Sequence, residues 1–209
     1  MPRLSRKEKQ AKTRSSLMKS AAKVFCRHGM ERASIDQVAE EAGYTKGAFY
    51  ANFKNKEELF LAMLDEHFEQ RIEETERAFA EAEESPPDQA RHAAADFAAS
   101  LHADPEHGRL FQEFYAYAVR DEAFREELVT RFATLRNRFE RIYQRRADEL
   151  GLELDVPMER IVRMVVAMAD GWALWQQLEP DAVDDPLLEE MMALFTTGVG
   201  VRGGILQHT

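Results

Sequence analysis

Residues 33–59 read ASIDQVAEEAGYTKGAFYANFKNKEEL, and this stretch decides the fold. Ser34-Ile35-Asp36-Gln37 has the form of a capping box, in which the Ser hydroxyl accepts from the Gln37 amide while Gln37 reaches back. It opens a helix that turns Ile35, Val38 and Ala39 inward and ends at Gly43. A second short helix is expected from about Thr45 to Asn52, with Ala48 and Phe49 as its core side. A capped helix, a Gly-centred turn and a second short helix in this little chain is helix-turn-helix spacing. In such a pair the first helix braces, and the second presents its N-terminal residues to a major groove. The exposed positions are then Tyr44, Thr45, Lys46, Gly47, Tyr50 and Asn52. Gly47 would let a backbone approach closely.

Outward from this motif the chain reads as helix throughout. Upstream, Leu17, Ala21, Val24 and Phe25 form one apolar stripe that stops near Gly29. Downstream, Asn55 caps a long helix carrying Leu59, Phe60, Met63, Leu64, Phe68 and Ile72. Ser85-Pro86-Pro87, Asp104-Pro105 and Asp185-Pro186 mark later starts, each with a capping side chain before a Pro that has no amide to leave unpaired. From Asp121 to Leu150, Phe124, Leu128, Phe132, Leu135, Phe139 and Ile142 recur at spacings of three and four, which predicts one helix about 45 Å long. Val156 to Leu178 and Pro186 to about Thr197 are the last two, and the glycines from Gly198 onward predict a frayed tail. No segment alternates apolar and polar residues as a strand would. The fold class is all-α, with about nine helices.

Charge divides the chain. Residues 1–56 hold 13 Lys and Arg against 5 Asp and Glu, whereas residues 57–209 hold 15 against 33. A basic head on an acidic trunk points to a polyanionic partner for the head. The single cysteine, Cys26, excludes a disulfide framework, suits a reducing cytoplasm, and falls where a small core residue is expected. The start, MPRLSRKEKQAKTR, has no apolar stretch behind it, so no secretory leader is expected. The longest apolar run, Met164 to Leu178, contains Asp170 and falls short of the roughly 18 residues a membrane span requires. There is no Gly-x-Ser-x-Gly, no Gly-rich phosphate loop and no His-Glu-x-x-His, so catalysis, a cofactor and a metal are not expected. His92, His102 and His107 read as solvated.

TKGAFYANFKNKEEL, with SIDQVAEEAGY before it and a first helix ending in VFCRHG, resembles the DNA-binding region of the TetR family of transcriptional regulators. The resemblance covers residues 13–60, and MADGWALWQQLEPDAVDDP is similar to the family's penultimate helix and the turn after it. It implies a flexible basic tail at 1–12, a helix-turn-helix domain at 13–58 and a ligand-binding and dimerisation bundle at 59–209. It also implies that Tyr44, Thr45, Lys46 and Gly47 meet bases and adjoining phosphates. Tyr50, Lys54, Lys56 and Arg14 are its further phosphate partners, with Arg3, Arg6, Lys7, Lys9 and Lys12 along the backbone or a minor groove. Asn52 departs from the His often found at its position, and Phe53 is expected in the core.

For the trunk, the resemblance implies a pocket for a small hydrophobic or aromatic effector lined by Phe111, Phe114, Tyr115, Met168, Trp172 and Trp175. Glu113 or Asp170 would admit a cationic one. Residues 161–175 are apolar almost all round, so both sides need a cover. A homodimer through the last two helices supplies the second cover and offers two heads to a palindromic operator on double-stranded DNA. The implied function is a cytoplasmic repressor released by its effector. The alternative is an activator or a DNA-bound adaptor without effector.

Overall fold

In the computed structural model, residues 5–80, 85–103 and 105–202 are described, and every regular element among them is an α-helix. The order is α1 (Arg6–Arg32), α2 (Ile35–Glu41), α3 (Lys46–Tyr50), α4 (Lys56–Ala80), α5 (Pro86–Ala103), α6 (Pro105–Ala118), α7 (Glu122–Glu149), α8 (Met158–Leu178) and α9 (Asp185–Arg202). None of the described helices is long and apolar enough to cross a membrane.

Both ends of the chain hold more helix than expected. Ser5 and Glu8 form a capping box, with the Glu8 amide donating to Ser5 Oγ at 3.2 Å and the Ser5 amide donating to Glu8 Oε2 at 2.7 Å. Helix therefore begins at Arg6, inside the stretch expected to be a flexible tail, while Arg3 lies outside the described residues. At Gly29 the backbone breaks with φ +74°, and one more turn follows to Arg32. α9 continues through Gly198 to Arg202, past the expected stop near Thr197, and begins one residue early with Asp184 Oδ1 accepting from the Leu187 amide at 3.1 Å.

The helices sort into two compact units. The first contains α1–α3, α4 through His67, α6, and α7 as far as Val129. Its centre is Phe60, stacked on Phe114 at 3.9 Å and met edge-on by Phe25 at 4.9 Å. Around these lie fully buried Leu17, Phe49, Leu59 and Leu64. Residues 105–129, expected with the trunk, join the head because Phe114 and Phe124 complete the Phe60 cluster. Polar ties add to the packing. Glu113 Oε2 accepts from the Met30 amide at 3.0 Å, Cys26 Sγ donates to the Glu106 carbonyl at 3.3 Å, and Tyr117 donates to Glu57 Oε1 at 3.3 Å. Burial, followed by the negative charge of Glu57, pushes the Tyr117 phenol up to about 12, so it stays a donor at neutral pH.

The second unit holds the rest of α4, α5, the rest of α7, α8 and α9. Ala90, Ala94 and Ala98 give α5 a small-residue face, and Trp172, Leu188 and Met192 pack on it. Trp172 donates its indole N–H to the Asp184 carbonyl at 2.8 Å. Deeper in, the Arg71 guanidinium lies over Phe97 at 4.4 Å and donates to Glu74 at 2.5 Å. Desolvation holds Arg71 below the usual guanidinium range, and burial pushes Tyr143 up to about 12. His102 is exposed, as expected, and its ring nitrogen sits 2.8 Å from Asp185.

Candidate nucleic-acid interface and trunk groove

Local sequence builds the first candidate surface. The Gln37 amide donates to Ser34 Oγ at 3.2 Å and the Ser34 amide donates to Gln37 Oε1 at 2.9 Å, so the expected capping box starts α2. Gly43, at φ +71°, closes the turn, and the Tyr44 amide returns to the Ala39 carbonyl at 2.8 Å. An L-residue with a Cβ would be strained at that φ. Thr45 is the N-cap of α3, its Oγ1 accepting from the Ala48 amide at 3.2 Å. α3 is five residues long, shorter than expected, because the chain enters turns at Ala51 and Asn52.

Phe49 and Phe53, both buried, anchor α3 from behind. This leaves Thr45, Lys46, Gly47 and Tyr50 exposed on one short helix, with Tyr44 half-buried beside them. Tyr50 is 53% exposed and held edge-on to Phe49 at 5.7 Å. Lys46 Nζ donates to Asp36 Oδ2 at 2.8 Å, and that hydrogen bond raises its pKa above the ordinary lysine range. Gly47 has no positive φ, and a Cβ built on it would meet only Thr45 Oγ1 at 3.7 Å, an ordinary contact. The fold itself therefore does not require glycine at this position.

The outer cations divide into two kinds. Lys54 is exposed, and its backbone amide donates to Glu58 Oε2 at 2.7 Å. Arg14 is part-buried, lying over Phe53 at 4.1 Å and donating to the Asn52 carbonyl at 2.9 Å. Lys56 departs furthest from expectation. Its ammonium donates to the carbonyls of Met30, Glu31 and Ala33 at 2.9, 2.9 and 3.3 Å. All three donors of a lysine are thus directed to the end of α1, where the ammonium acts as a cap. Sequence reasoning placed Lys56 correctly at a helix start but missed this cap, because its acceptors lie more than twenty residues upstream. Asn52 donates Nδ2 to the Ala48 carbonyl at 2.8 Å, while its Oδ1 is buried without a partner.

The second candidate surface is a groove of about 620 Å³ between α8 and α9, with an almost wholly apolar lining. Met164, Met168, Trp172, Trp175, Met191 and Phe195 line it. Trp175 is 51% exposed at its edge, and Leu194 on α9 is 73% exposed. Of the six residues expected at an effector pocket, Met168, Trp172 and Trp175 come together here. Phe111, Phe114 and Tyr115 do not, because α6 belongs to the other unit. Phe114 is core against Phe60, Phe111 packs edge-on against Phe114 at 5.5 Å, and Tyr115 tilts toward Phe111 at 6.4 Å. The Glu113 carboxylate, expected to be open to a cationic ligand, instead caps the Met30 amide.

Comparison with known proteins agrees with this geometry. Residues 17–63 match the family model described as bacterial regulatory proteins, tetR family. The HTH-type transcriptional regulator TtgR of Pseudomonas putida is 38% identical over 79 residues, covering 38% of this chain and 35% of TtgR. The chain thus matches about a third of that relative's length. The uncharacterized HTH-type transcriptional regulator YfiR of Bacillus subtilis is 25% identical over 171 residues, 79% of this chain and 80% of YfiR. Among solved structures, a SmeT–triclosan complex superposes with a TM-score of 0.68 at 26% identity, covering 89% of this chain and 90% of that one.

Proposed function

Because residues 17–63 match the tetR family of bacterial regulatory proteins, we propose that the chain is a member of that family, a homodimeric repressor of transcription in the cytoplasm that binds a palindromic operator and is released by a small apolar effector. The observation that carries the reading is α3. A short element with a buried aromatic back exposes Thr45, Lys46, Gly47 and Tyr50 together, and its one glycine has no reason internal to the fold. Polar and planar groups of this size suit base edges and phosphates. With one lysine and no arginine on the helix, sequence choice falls on thymine methyl contacts and DNA shape. Tyr44 and Lys54 flank this surface as further phosphate donors, and Arg14 supports it from behind.

The trunk groove supports the dimer. A second copy laid across α8 and α9 would cover Trp175 and Leu194, which otherwise stand in water. An isologous seam of this kind sets two heads at the spacing of half-sites. Met168, Trp172 and Trp175 give an apolar effector its walls, and the triclosan held by SmeT supports an aromatic ligand class. Release then follows from population shift, in which the effector binds the spacing that misfits DNA better than the spacing that fits it. α4 and α7, which contribute residues to both units, are the covalent routes for that coupling.

The test is selection of bound duplexes from a random pool, followed by gel shift of Lys46→Ala and Tyr50→Ala. Recovery of a palindrome, with both variants weakened and still dimeric, supports the reading. Unchanged affinity in both would remove α3 from the interface.

A further inference from the structure

Sequence first isolates α1. Between Glu8 and Glu31 there is no carboxylate, although Lys9, Lys12, Arg14, Lys19, Lys23 and Arg27 fall in that span. Lys9, Lys12, Ser16, Lys19 and Lys23 follow one another at steps of three, four, three and four, which puts them on one side of a helix. α1 is helical across all of them, and the four lysines are exposed. The opposite side carries Leu17, Ala21, Val24 and Phe25, which are buried. The stripe therefore faces directly away from the core, over about 21 Å from Lys9 to Lys23.

The other charged helices of this protein are arranged differently. α7 pairs Arg125 with Glu122 at 2.8 Å and Arg146 with Glu149 at 3.2 Å, and α8 pairs Arg163 with Glu159 at 2.7 Å. Along the α1 stripe, none of the four ammonium groups pairs with a carboxylate among the described residues. Glu8, four residues before Lys12, holds the Ser5 amide instead. Like charges at three and four residues repel and weaken an isolated helix. A merely solvated surface needs no such arrangement, and α7 and α8 mix the two signs.

We infer that the outer face of α1 is a second nucleic-acid surface, on which Lys9, Lys12, Lys19 and Lys23 track duplex phosphates beyond those met by α3. The inference rests on the DNA-binding reading above and extends it from the tail to the full length of α1. Duplex DNA is the partner because the stripe shares a unit with α3, packs no apolar residue of its own, and spans more than half of a duplex turn of ~34 Å. Contacts of this kind carry no sequence information, so they set affinity, salt dependence and the length of DNA covered.

The experiment uses the full chain and mixed-sequence duplex DNA. Wild type is compared with the variant carrying Lys9→Gln, Lys12→Gln, Lys19→Gln and Lys23→Gln, in which helix propensity is kept, and with Lys46→Ala. Binding constants are measured across salt concentration. The fourfold variant is expected to show a slope of log K against log salt shallower by roughly 0.9 for each phosphate it no longer neutralises, with an unchanged or raised melting temperature. Lys46→Ala alone is expected to change the slope by at most the increment of one phosphate. On a duplex recovered by the selection above, hydroxyl-radical protection should shorten at its outer edges in the fourfold variant only. Equal slopes with DNA binding intact overturn the α1 surface and leave the α3 reading standing. A wild type that binds no duplex overturns both. Loss of low-salt self-association without DNA, with slopes unchanged, assigns the stripe to another copy's acidic trunk and also overturns the inference.

Discussion

The head and the trunk each expose a surface that the fold does not need to expose, and the two are built from opposite chemistry. On α3, Thr45, Lys46 and Tyr50 stand outward while Phe49 and Phe53 hold the helix from behind. On α8 and α9 the outward groups are Trp175, Leu178 and Leu194, so apolar surface itself meets water. A polyanion on the first surface would replace hydration with charge-assisted hydrogen bonds, and salt would weaken it. The second gains by excluding water and will be nearly indifferent to salt. If both surfaces take the partners proposed above, ionic strength separates them.

The comparison breaks most severely if the shared support of the head is removed. Phe60→Ala deletes the ring that Phe25, Phe114 and Phe124 surround, and truncating a buried Phe in this way costs about 3–5 kcal/mol. Urea denaturation should show that drop, and operator binding should fall with the folded fraction although no exposed residue has changed. Next in size is Leu194→Glu. Leu194 is 73% exposed, so the substitution leaves the monomer intact and acts only where a second copy would cover it. Sedimentation equilibrium should show the dimer dissociation constant raised about 100-fold, or ~2.7 kcal/mol. An unchanged dimer would take α9 out of the seam.

Lys56→Gln comes third. The amide can replace part of one hydrogen bond of the three, so the end of α1 loses about 2 kcal/mol of capping. At temperatures where the variant is fully folded, its DNA affinity and salt slope should match wild type, since the ammonium had no donor left for phosphate. A slope reduced by the full increment of one phosphate would return Lys56 to the interface.

What the sequence discloses divides along the same line between local and distant partners. The caps Ser34 to Gln37, Thr45 to Ala48 and Asn55 to Glu58 all act over three residues, so the helix-turn-helix was readable almost residue by residue. The Ser5 to Glu8 box is equally local, yet its neighbours are cations, and the segment reads as a tail until the helix is seen. Glu113 reaching the Met30 amide, Phe114 stacking on Phe60 and Lys56 reaching the Met30 carbonyl are pairings across 26 to 83 residues. No period or spacing signals such pairings. The same holds for α6, whose apolar residues show that it packs but not on which helix. Trp172 and Trp175 were legible as a pair at one helix turn, and they do share a groove, because that pairing is set by helical geometry alone.

The smallest effect is the most discriminating. Glycine in a helix costs about 0.5–1 kcal/mol relative to alanine, and at Gly47 the added Cβ meets only an ordinary contact with Thr45 Oγ1. Gly47→Ala should therefore raise the melting temperature slightly while weakening operator binding. A methyl group at the second residue of α3 holds off whatever comes within van der Waals reach of that backbone. Stability and binding would then move in opposite directions from a single added carbon, which packing within the head cannot produce. A variant that gains stability and keeps full affinity would mean that no partner approaches the backbone at Gly47, and that α3 meets DNA through its longer side chains alone.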